Sequence, residues 1–196
     1  MVTKRYSGYI IGAIFVLLGI FIMVTFNSLV KKEEKVILQW NEVQNAYQRR
    51  LDLIPTIVTT VQATAKYEQN VLQEVIAARA KANYVNVKAN EVSAQGNEAQ
   101  LQAHNELATV SNKLLLTVEK YPELKGTKPF TTLQTQLERT ELRVKVARKD
   151  FNESIQRYNT SVKSFPTSLV ASIFKFGSKN GFVSDAGAEK ATEIKF

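Results

Sequence analysis

The densest group of chemistry-bearing side chains lies in YQRRLDLIPTIV, Tyr47 to Val58. Two guanidinium groups, Arg49 and Arg50, and one carboxylate, Asp52, stand just ahead of Pro55. Such a cluster can bind an anion, hold a carboxylate through paired hydrogen bonds, or form a catalytic turn. The proline decides how the cluster reads. Pro55 has no N–H for the Leu51 carbonyl and crowds that turn. It also biases Ile54 away from helical angles. A full break would rotate the apolar stripe, yet Leu51 and Ile54 lead in phase to Val58 and Val61. The stretch therefore reads as a kink in a continuous helix. Arg49 or Arg50 would reach the freed carbonyl or an acid on a later helix, and Asp52 would sit near donors exposed at the bend.

Other polar residues fall on faces that should be buried. Arg50, Glu68 and Arg79 lie in the stripe of the first helix. Arg50 and Glu68 would be about 27 Å apart along one helix, so their partners must come from other helices. Glu138, Glu141, Asp150 and Glu153 are the acids on offer. Glu141, Arg148, Asn152 and Asn159 form a polar seam in steps of seven, four and seven. Buried charges are costly unless paired, so these positions are expected to fix register between helices rather than to catalyse. His104 is a lone histidine and is read as a hydrogen-bonded boundary residue. No H-E-x-x-H, glycine-rich phosphate loop or G-x-S-x-G occurs, so no catalytic, cofactor or metal residues are assigned. The basic run Arg139 to Lys149 lacks the interleaved aromatics that stack bases, and nucleic acid is not an expected partner.

The elements that must carry these residues are helical. The chain has 196 residues, 44% of them hydrophobic, with no cysteine and a formal charge of +8. It can bury a core, and thiol chemistry and disulfides are excluded. The segment 8–30 has no charge and would be about 34 Å long as a helix, enough to span a bilayer core. Lys4 and Arg5 precede it; Lys31, Lys32 and Lys35 follow it, so the flanking charges pull its orientation both ways. Gly8, Gly12 and Gly19 lie near one face and suit close helix packing. A heptad-like stripe from Val36 to Ala82 predicts one long rod rising from the bilayer. A second helix is predicted over about 97–120, after a turn with Asn86, Asn90 and Gly96 as breakers. A third runs over about 130–165 and is stopped by Pro166. A short amphipathic helix and an aromatic tail follow. Phe174, Phe176, Phe182 and Phe196 would dock the tail onto this bundle or onto a neighbouring subunit.

The predicted fold is all-α: an N-terminal single-pass transmembrane helix continuing into an elongated antiparallel three-to-four-helix bundle. The divisions are a flank 1–7, an anchor 8–30, a bundle 31–165 and a tail 166–196. QRRLDLIPTIV, YEQNVLQEVIAARAKA, EKYPELK and ERTELRVKVARKDFNESIQRYNTSVKSFP, with Trp40 upstream, resemble the LemA family. That resemblance implies a single-pass bacterial membrane protein with a helical bundle, and no particular activity. Thr56 stands where the family usually has Asn, and the lipidated cysteine of some members is missing. The functional expectation is a non-enzymatic scaffold at the bacterial cell (inner) membrane, self-assembling as a homo-oligomer on the lipid bilayer. An adaptor or sensor recruiting another membrane protein, such as a protease, comes second, and an uncharacterised enzyme third.

Overall fold

The computed structural model describes residues 3–62, 69–85, 94–118 and 127–182. These form five helices: α1 Thr3–Gln62, α2 Gln69–Tyr84, α3 Ala94–Val118, α4 Lys128–Lys163 and α5 Thr167–Ile173. No strand occurs among the described residues. α1 is one uninterrupted helix of 60 residues with Pro55 inside it. Its two halves bury different amounts. From Tyr9 to Val24 the large apolar side chains are almost all exposed, whereas Val36, Trp40, Val43, Tyr47, Ile54, Ile57 and Val61 are buried. By length and composition α1 is apolar enough to cross a membrane near its start.

Helix direction follows from which residues meet. Lys32 donates to Ser161, Trp40 packs on Phe151, and Arg50 pairs with Glu141. Numbers rise on α1 as they fall on α4, so the two run antiparallel. Glu74–Lys113 and Lys81–Glu106 show the same for α2 and α3. Gln44–Gln100 and Tyr47–His104 rise together, so α3 runs parallel to α1. The helices thus go up, down, up and down around two apolar layers. The layer nearer the chain start joins Trp40, Val43, Phe151, Ile155 and Tyr158; the farther one joins Ile54, Ile57, Val75, Leu107, Leu114 and Leu137.

This order corrects the single rod predicted from Val36 to Ala82. One helix would hold Leu51 and Arg79 about 42 Å apart. Instead Arg79 Nε lies 3.1 Å from the Leu51 carbonyl oxygen, because α2 runs back along α1. A periodic stripe marks a buried face and carries no information about reversal. Val61 and Val71 continue one stripe because both point into the same core cluster. Gly96, expected as a breaker, lies in the first turn of α3. Pro129 opens α4, where its missing N–H costs nothing. Phe165, the last residue of the predicted third helix, is 81% exposed because α4 has already ended at Lys163. Glu68, Asn86, Asn90 and Phe196 lie outside the described residues.

Candidate functional site

The polar residues collect in three places. The first is a belt between the two apolar layers. Arg50 is 2% exposed and donates to the His104 carbonyl at 2.8 Å and to Glu141 Oε2 at 2.5 Å. One guanidinium therefore ties α1 to both α3 and α4. One turn earlier, Tyr47 stacks on His104 with centroids 3.7 Å apart and planes 4° apart. Below that, Gln44 and Gln100 exchange amide hydrogen bonds at 3.0 and 3.1 Å. Burial opposes charge here. It lowers the pKa of Arg50, with Glu141 opposing that shift. Burial, helped by the Arg50 charge, pushes His104 down to about 3, so its imidazole is neutral. Burial raises the Tyr47 phenol, while Arg148 and Arg50 oppose it. Tyr47 Oη, Arg50 Nε, His104 Nδ1 and Glu141 Oε1 are buried with no hydrogen-bond partner among the described residues. Four such groups in one layer are the kind of setting that buried water satisfies.

The second place is the proline. Pro55 leaves the Leu51 carbonyl without its helical donor, and Arg79 of α2 supplies one. The expected donors, Arg49 and Arg50, do not. Arg49 is exposed, and Arg50 turns into the belt. Asp52 is also exposed and, among the described residues, accepts from Gln48 Nε2 at 2.8 Å. The cluster around Pro55 therefore divides. Arg50 joins the core, Pro55 creates an acceptor for α2, and Arg49 and Asp52 face outward.

The third place was missed as such. The seam on α4 holds the chain after α5. Asn152 and the backbone of Phe182 exchange two hydrogen bonds, at 3.0 and 2.9 Å. Asn159 does the same with Lys179, at 2.8 and 2.9 Å. Asn97 on α3 donates to the Asn180 carbonyl at 3.2 Å. A primary amide offers a donor and an acceptor side by side, which matches the N–H and C=O of a single residue in the strap that follows α5. Phe182 then packs against Trp40 and Phe151 at 5.9 and 5.5 Å, and the Arg148 guanidinium lies 5.2 Å above its ring. Lys179 pairs with Glu33 at 2.8 Å. A Cβ on Gly181 would meet Asn152 Oδ1 at 2.5 Å, so this close approach requires glycine. Up to Phe182 the tail lies on its own bundle. The signal available in sequence was two asparagines, seven residues apart, on a face where hydrophobic residues would be expected.

A model of the LemA family matches residues 39–196. The chain belongs to the LemA family. The matched LemA region holds the Arg50 belt, the Pro55–Arg79 contact and both asparagine clamps. The apolar first half of α1 precedes it. A comparison with curated proteins finds no match. Among the described residues no group of three His, Asp or Glu side chains is arranged to hold a metal ion.

Proposed function

We propose that this LemA protein is a non-enzymatic scaffold, anchored in the bacterial cell membrane by α1 and assembling with further copies of itself. One observation carries the reading. The same uninterrupted helix exposes apolar side chains over Tyr9–Val24 and buries a core stripe from Val36 onward. Exposed apolar residues at that density are stable in lipid and unfavourable in water. A helix that crosses from one environment to the other without a loop transmits position and orientation from bilayer to bundle. The polar belt supports a structural role, because Arg50 is held by Glu141 and by backbone. Two features favour self-assembly. A Cβ at Gly12 or Gly19 would meet open space, and Leu142 and Val146, one turn apart on α4, are 61% and 48% exposed. Small residues allow close packing of membrane helices, and an apolar patch on the bundle gives a second contact.

Native mass spectrometry of the full chain released from lipid nanodiscs tests the proposal. Oligomers at micromolar concentration are expected. A strictly monomeric chain that crosslinks to a different membrane protein would favour an adaptor instead.

A further inference from the structure

Phe26 belongs to the uncharged segment, five residues before Lys31. It therefore lies about 7.5 Å below the first charge along the helix axis. Phe174 and Phe176 nevertheless pack on it, with ring centroids 4.8 and 5.6 Å away. Thr25 and Leu29, on the same side, are buried, and α5 packs against α1. The foot of the bundle thus overlaps the end of the apolar segment. A bilayer that takes up the segment brings α5 to its own surface.

α5 has two faces. Val170 and Ala171 are buried against the protein. Leu169 and Ile173, one turn apart, are 58% and 68% exposed, as is Phe165 just before the helix. Cations surround this foot. Lys31 and Lys35 are exposed on α1, Arg157 and Lys163 on α4, and Lys175 follows α5. The Lys32–Ser161 contact sets the two helices at one height, directly above the apolar segment. Of the acids at that height, Glu34 and Asp150 are exposed, and the other two are engaged. Glu33 pairs with Lys179, and Glu153 contacts both Lys149 and Arg157. Apolar residues at the depth of the acyl–headgroup boundary, ringed by cations, are what a surface-lying membrane helix presents.

We infer that α5 is an interfacial membrane helix: Phe165, Leu169 and Ile173 insert at the surface of an anionic lipid leaflet while the surrounding lysines engage its headgroups. The inference rests on the anchoring reading above and adds a second membrane contact to it. The occupant is lipid rather than another protein, because α5 packs beside the end of the apolar segment, at Phe26, and its exposed row is flanked by positive charge. It fixes the tilt of the bundle, since a rod held at one point can swing and a rod held at two cannot.

The chain has no cysteine. Single cysteines in place of Leu17, Asp52 or Leu169, each carrying an environment-sensitive fluorophore, can report depth in the full chain. The protein is reconstituted in phosphatidylcholine vesicles with and without phosphatidylglycerol. Quenchers are aqueous iodide and lipids bearing shallow or deep nitroxides. Position 17 is expected to respond to the deep label and position 52 to iodide alone. Position 169 is expected to lose iodide quenching and gain shallow-label quenching, more so with phosphatidylglycerol. Iodide quenching at 169 equal to that at 52, with 17 still in lipid, would overturn the inference and leave the anchor intact. Absence of lipid quenching at 17 would overturn both. Shielding of 169 from every quencher would mean that protein covers the row, which also overturns it. Equal shallow quenching without phosphatidylglycerol would overturn the role of the cations.

Discussion

The contact between Pro55 and Arg79 makes a prediction that few other contacts can make, because two separate substitutions act on one carbonyl. Arg79 donates to the Leu51 carbonyl only because Pro55 cannot. Replacing Arg79 by Met should leave that acceptor unpaired. A hydrogen bond from a charged donor contributes about 1.5–3 kcal/mol. Arg79 itself is exposed, which argues for the low end, about 1.5 kcal/mol. In a Pro55→Ala background the new N–H bonds the Leu51 carbonyl within the helix, so Arg79→Met should cost no more than about 0.5 kcal/mol. The coupling between the two sites is then about 1 kcal/mol. Pro55→Ala alone should stabilise by about 2 kcal/mol, the ~3 kcal/mol helix penalty less ~1 kcal/mol of lost chain restriction. Urea unfolding of the full chain in detergent micelles, followed by circular dichroism for all four variants, measures each quantity. Additivity to within about 0.3 kcal/mol would refute the carbonyl exchange.

Glu141→Gln should destabilise by about 3 kcal/mol, the low end for breaking a buried pair, since the Glu141 side chain is one-third exposed while Arg50 is not. In the same urea titration, Arg50→Met with Glu141→Leu should recover most of that loss. For His104 the folded-state pKa lies below the unfolded value, at about 3 against 6.5. Its contribution is therefore complete above pH 6.5 and is lost as pH falls toward 3. From pH 7 to pH 4 the native chain should lose about 3 kcal/mol more stability than His104→Gln, at roughly 1.4 kcal/mol per unit. Gly181→Ala and Asn152→Leu should each free the strap, raising the rate of proteolysis between Ser178 and Phe182 while leaving the far apolar layer intact; an unchanged cleavage rate would contradict the clamp.

Legibility in the sequence followed what periodicity can encode. The buried stripe of α4 from Leu133 to Tyr158 was readable, because a 3.6-residue period marks a face. The reversal between α1 and α2 was not, because both helices turn the same residue types to the same core. Arg50 and Glu141 could be named as needing partners, since a charge on an apolar face must find one. That Arg79 would serve Leu51 required knowing that α2 returns. Asn152 and Asn159 were visible as a seam but suggested helix–helix contacts. Their true partner is the backbone of the segment after α5, which leaves no pattern of its own apart from Gly181.

The claim on which the rest depends is that one rigid helix joins membrane and bundle. Paired spin labels at Val24 and Asp52, measured by pulsed electron resonance with the full chain in lipid nanodiscs, test it directly. Twenty-eight residues of unbroken helix predict a narrow distribution centred near ~42 Å. A broad distribution, or a peak much shorter than this, would place a joint between anchor and bundle and contradict the account.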